Sequence, residues 1–212
     1  MSPARAGLVI ALLLVLLGGC EFPSDDGMAN SYYLDPHKDL RRLGRVALVE
    51  LDNQSGYPVI SADVTQALFL AVQKEQVFGV TVVRQQDPNR PALPANLDAP
   101  GMLRQMPALR EHLQCNGLLM GVVTEYRPYP HMVLGLRLKL LDLTDGQLLW
   151  GLEQVWDGAD KSVRKRIARY FDKERRPESD PLREELVVVS SLDFTKFVAY
   201  EVARTLNRER ER

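Results

Sequence analysis

Three strand-length segments follow one another in the middle of the chain, Leu118–Tyr126, Met132–Leu143 and Gln147–Trp156, and they restrict the fold more than any other stretch. The first two are joined by Arg127-Pro128-Tyr129-Pro130-His131 and the last two by Thr144-Asp145-Gly146, whose Asp-Gly pair is a strong hairpin signal. Alternation with a period of two sets Leu134, Leu136, Leu138 and Leu140 against Val133, Gly135, Arg137, Lys139 and Leu141. One face is therefore core and the other mostly wet. Such an arrangement is an antiparallel meander.

Upstream, the apolar run Arg45–Leu51 includes the β-branched Val46 and Val49 and leaves into the loop Asp52-Asn53-Gln54-Ser55-Gly56, the pattern of a strand. Ser61 is expected to cap a helix with Asp63 in its first turn, and Val64, Leu68, Ala71 and Val72 give it one buried stripe. Phe78–Val83 reads as a second strand, and the proline-rich stretch 84–100 as an irregular loop. Met102, Met106, Leu109 and Leu113 have helical spacing, with Pro107 implying a kink or a start near Met106. Both helices are expected over the apolar face of the meander. Asp160 can cap a further helix carrying Val163, Ile167, Tyr170 and Phe171, followed by a charged loop from Lys173 to Arg183. Leu186–Val189 reads as either a short strand or a turn of helix. Ser191 is expected to cap a last helix with a stripe of Phe194, Val198, Val202 and Leu206. The order implies an α+β fold: a mixed sheet with an antiparallel meander in its C-terminal half and helices packed mainly on one face.

The chain opens with Arg5, an apolar run from Leu8 to Leu17, then Gly18-Gly19-Cys20. A run of about ten residues suits a secretory signal and is too short to span a bilayer. The pattern resembles the bacterial lipobox, in which the cysteine is acylated and becomes the new N-terminus. That resemblance implies a lipoprotein signal peptide at 1–19 and a palmitate-bearing Cys20 as membrane anchor. Glu21 follows the cysteine, where an aspartate would resemble an inner-membrane retention signal, so the outer membrane is expected. Residues 20–43 are polar with scattered Pro and Gly and read as the lipidated N-terminus and a tether, leaving 44–212 as a single periplasmic domain. Tyr32, Tyr33 and Leu34 are unusual in a linker and suit docking on the domain. The net charge of −1 gives no reason to expect nucleic acid. Cys115 is left without an intramolecular partner once Cys20 carries lipid, and reads as a small buried hydrophobe.

Arg45-Val46-Ala47-Leu48-Val49 leading into Asn53, the step from Cys115 to Val123, and Leu143-Thr144-Asp145-Gly146-Gln147-Leu148-Leu149-Trp150 together resemble a family of periplasmic lipoproteins. It includes the curli-secretion lipoprotein, the Pel-type exopolysaccharide-export lipoprotein and the lipoprotein activator of penicillin-binding proteins. The resemblance implies a lipid-anchored accessory protein of the outer membrane, serving export or assembly of a cell-envelope polymer, with an envelope protein partner and self-association into an oligomer. The alternative it implies is a regulator that binds and activates a peptidoglycan synthase. A curli-type pore would need two further long alternating segments, which neither 84–100 nor 173–183 supplies.

Enzymatic signatures such as G-x-S-x-G, a P-loop or H-E-x-x-H are absent, and His37, His112 and His131 lie on separate elements. No enzyme, metal site or cofactor is expected. Two surfaces carry a functional reading. Tyr126, Arg127, Tyr129 and His131 place aromatic and cationic groups at a proline-stiffened hairpin tip, suited to a partner or to sugar rings. Arg164, Lys165 and Arg169 lie in a basic helix suited to an anionic surface, although Asp160 and Asp172 interleave with them.

Overall fold

The computed structural model describes residues 32–88, 102–174 and 190–207. Its elements are β1 (Tyr32–Leu34), a 3-10 turn (Leu40–Leu43), β2 (Arg45–Val49), β3 (Asp52–Asn53), α1 (Ile60–Glu75), β4 (Gly79–Val83), α2 (Met102–Leu113), β5 (Gly117–Arg127), β6 (Val133–Asp142), β7 (Leu148–Asp157), α3 (Lys161–Glu174) and α4 (Ser191–Arg204). Seven strands form one mixed sheet in the order β1-β7-β6-β5-β2-β4, with β3 pairing alongside β5. β2 lies parallel to both β4 and β5, whereas β5, β6 and β7 form the antiparallel meander. The chain is α+β, as its sequence pattern implies.

The alternation in β6 decides where the main core sits. Leu134, Leu136, Leu138 and Leu140 pack with Trp150 and Trp156 of β7 against Leu68 and Val72 of α1, Ile167 of α3, and Phe194 and Val198 of α4. Each such side chain contributes about 1.5–3 kcal/mol by leaving water. A buried indole also needs an acceptor, and α4 with its C-cap residue Thr205 supplies both. Trp150 Nε1 donates to Thr205 Oγ1 at 3.0 Å, and Trp156 Nε1 to Glu201 Oε2 at 3.0 Å. Arg166 of α3 joins the same carboxylate at 2.9 Å. Burial nevertheless pushes the Glu201 carboxyl up, outweighing the attraction of Arg166 and the indole hydrogen bond.

The second helix departs from expectation. Met106 and Leu109 of α2 cover the opposite face, packing with Ala47, Val49, Val83, Leu118 and Met120. Cys115 is buried there, which pushes its thiol up and fits the reading of a small hydrophobe. The reason is topological. The β2-α1-β4 crossover steps outward across the sheet, while β4-α2-β5 steps back over β2 to the other side. Two crossovers of the same right hand that move in opposite directions leave their helices on opposite faces. α2 runs through Pro107 from Met102 to Leu113. Of the four helices among the described residues, three lie on the meander's core face.

Residues 32–43, expected as the end of the tether, belong to the domain. β1 pairs antiparallel with β7 through Tyr32↔Leu152, Tyr33↔Gly151 and Leu34↔Trp150. A strap then crosses the end of the sheet and sinks Leu40 and Leu43, 5% and 6% exposed, into the core. Asp39 caps the 3-10 turn by accepting from Arg41 N at 3.0 Å, and Gly44 leaves it at φ +65°, a conformation that disfavours other residues. Two caps also differ. α1 begins at Ile60 without a side-chain cap, leaving Ser61 buried inside its first turn, and α4 is capped by Ser190, whose hydroxyl accepts from Asp193 N at 3.3 Å. The signal, Cys20 and the chain to residue 31 lie outside the described residues, as do 89–101 and 175–189. Among the described residues no helix is long and apolar enough to cross a membrane.

Candidate functional site

The β5–β6 hairpin is the longest pairing in the sheet, which runs from Gly117↔Asp142 to Arg127↔Val133. Eleven residues of β5, at about 3.3 Å each, hold its tip some 35 Å from the strap. A register shift between Val123 and Glu125 bends the last turn of the ladder and increases its twist. Tyr126 therefore leans back onto the edge of the main core, while Arg127 and Tyr129 stay exposed. Tyr129, at 84% exposure, is the most exposed large apolar or aromatic side chain among the described residues.

The loop after β3 completes this end of the molecule. Asn53 organises it: its Oδ1 accepts from Ser55 N at 2.8 Å and Ser55 Oγ at 2.7 Å, and its Nδ2 donates to Tyr57 O at 2.7 Å. This side-chain turn is what short polar residues offer a loop backbone. It presents Tyr57 edge-on to Tyr126, with ring centroids 5.1 Å apart and planes at 86°. Such T-shaped pairs contribute about 0.5–1.5 kcal/mol beyond area burial. Val59, 69% exposed, stands next along the loop. The tip is thus a small aromatic and aliphatic surface made from two loops.

Its charges are locally paired. Arg127 Nε donates to Glu125 Oε1 at 2.7 Å, and His131 Nε2 lies 3.3 Å from Asp157 Oδ1. Both pairs are exposed enough that they orient side chains more than they stabilise the fold. Tyr126, Arg127, Tyr129 and His131 accordingly share one end of the molecule. Tyr57, Val59 and the organising Asn53 were not among the expected site residues. Their signal was the Asn-x-Ser run after the first strand, which is recognisable as a side-chain turn.

The basic helix is placed elsewhere. Arg164, Lys165 and Arg169 lie on the exposed side of α3, whereas Arg166 turns inward to Glu201. Val163 and Ile167 are buried beneath them, so the charged side is the face left to solvent. Among the described residues no group of three or more His, Cys, Asp or Glu is placed to hold a metal ion.

No protein-family model matches the chain, and no curated protein matches it. Solved structures with a similar backbone include the PelC dodecamer from Paraburkholderia phytofirmans, at 17% identity over 62% of this chain and 84% of that one, with a TM-score of 0.44. A lipoprotein from Neisseria meningitidis matches at 13% identity over 64% of this chain and 99% of that one, with a TM-score of 0.43. The LpoB C-terminal domain from Salmonella enterica matches at 16% identity over 53% and 82%, with a TM-score of 0.39.

Proposed function

We propose that this chain is a non-catalytic accessory protein, anchored through lipidated Cys20 to the periplasmic side of the outer membrane, that serves export or assembly of a cell-envelope polymer. The observation that carries this reading is the exposed tip of Tyr57, Val59, Arg127 and Tyr129, held on a rigid hairpin. Aromatic side chains lose little entropy on binding and are favoured as anchors of protein contacts. The lipobox-like Gly18-Gly19-Cys20 supplies the anchor in this reading, and self-association belongs to the same proposal.

The alternative, a regulator that binds a peptidoglycan synthase, would use the same tip. It has less support from chain length. Tyr32 is already in the sheet and stands only twelve positions after Cys20, a stretch that could span at most roughly 40 Å.

Two measurements test the proposal. Metabolic labelling with palmitate should mark the mature protein, and Cys20→Ala should abolish both label and envelope fractionation. An envelope partner should co-purify with the detergent-extracted protein and be lost in Tyr129→Ala. An unlabelled protein, or a strict monomer with no partner by mass photometry at every concentration, would overturn it.

A further inference from the structure

The strap has clefts on both sides, and the one between it, the start of β5 and the β6–β7 turn has a volume of about 400 Å³. Arg42 comes to it from the strap and Arg110 from the last turn of α2, with Asn116 and Thr144 between them. Asn116 is fixed on both sides: its Nδ2 donates to Leu43 O at 2.9 Å, and its Oδ1 accepts from Arg110 Nε at 3.0 Å. That bond orients the Arg110 guanidinium and leaves its terminal nitrogens without a partner among the described residues. Arg42 likewise has no ion-pair partner among them.

The acids lining the cleft are already engaged. Asp142 receives Lys38 Nζ at 2.8 Å, and Asp39 accepts from Arg41 N. Lys38 also reaches Asp145, so that lysine is spent on the turn. What remains is two arginines from different elements, facing Asp39 and the one carboxylate charge that Lys38 leaves unbalanced between Asp142 and Asp145. Two guanidinium forks match the several oxygens of a phosphate better than the two oxygens of one carboxylate. The volume exceeds that of a bare ion and leaves room for an ester group.

We propose that this cleft binds a phosphate ester, with its oxyanion between Arg42 and Arg110 and its alcohol portion against Thr144. A lipid headgroup and a soluble phosphate ester share this chemistry. The inference is independent of the aromatic tip, which lies at the other end of β5.

The test uses the lipidated full chain, with hydrogen exchange followed at 38–43, 110–117 and 127–131. In one arm the protein sits in maltoside detergent with glycerol 3-phosphate, against potassium chloride of equal ionic strength. In the other it sits in phosphatidylcholine nanodiscs with or without phosphatidylglycerol. Slowed exchange at 38–43 and 110–117, with 127–131 unchanged, is the expected result in at least one arm. A response to phosphatidylglycerol alone identifies a lipid source, and a response to glycerol phosphate shows that a soluble ester suffices. Arg42→Gln and Arg110→Gln should each weaken the half-saturation concentration about tenfold. Arg42 is exposed, so the unliganded melting temperature of Arg42→Gln should stay unchanged, whereas Arg110→Gln, which also loses its bond to Asn116, should show only a small drop; Arg110→Lys, which keeps the charge and loses the fork, should recover only part of the binding effect. No protection in either arm, protection reproduced by chloride, or protection indifferent to Arg42→Gln would overturn the proposal.

Discussion

The two ends of the sheet are built on opposite terms. At the strap end, distant parts of the chain are tied together. Lys38 binds carboxylates of Asp142 and Asp145 more than a hundred positions away, Asn116 bonds Leu43, and Leu40 and Leu43 enter the core. At the hairpin end, one ring contact, Tyr57 on Tyr126, joins two loops, but the outermost side chains face outward, with Arg127 paired to Glu125 two residues away and Tyr129 almost fully exposed. The strap end therefore spends most of its residues on holding the fold and leaves only a small polar cleft, while the hairpin end is free to present a surface to another protein.

That contrast is open to measurement by mutation. The largest effect is expected for Leu40→Ala, which removes a buried strap anchor and should cost about 2–5 kcal/mol in urea unfolding. A cost below about 1 kcal/mol would mean that the strap is not part of the cooperative unit. Asn53→Ala comes next. Losing its side-chain bonds should cost about 1 kcal/mol and release Tyr57 from Tyr126, visible as a changed tyrosine environment in near-ultraviolet dichroism. Lys38→Met should cost less than about 1 kcal/mol, since the pair is partly solvated. Tyr129→Ala should change stability by no more than about 0.5 kcal/mol while abolishing partner capture, because nothing in the fold rests on it.

The strap also carries an acid dependence of defined sign. Burial alone would raise the Asp142 carboxyl, but hydrogen bonds from Lys38 and Thr144 outweigh it and hold it below the usual carboxylate range. A carboxyl lowered by folding contributes stability above its unfolded value, near 3.8, and loses it as pH falls through the folded value. Protection factors at 38–43, taken relative to the intrinsic exchange rate at each pH, should therefore fall under acid, and Asp142→Asn should flatten that dependence. Glu201 has the opposite sign: burial raises its carboxyl, so its contribution fades as pH rises.

What the sequence disclosed follows from the range of its signals. The meander was legible because alternation in Val133–Leu141 and the Asp145-Gly146 turn are local, and Gly146 indeed takes φ +76° there. The face covered by α2 was not, since Met106 and Leu109 announce a buried stripe without saying which side of a sheet buries it. Only the path of the crossover decides that. β1 was missed because three residues carry too little pattern, although Tyr32-Tyr33-Leu34 stood out in polar surroundings. Tyr126 and Tyr129 were legible as tip residues, while the pairing of Tyr126 with Tyr57 joins positions that no short window contains.

The division between a holding end and an end that meets a protein partner is tested most directly by placing a photo-crosslinking phenylalanine derivative at position 129 or at position 42 in growing cells. The account predicts capture of an envelope protein from position 129 and none from position 42. Protein capture at position 42 with none at position 129 would contradict it.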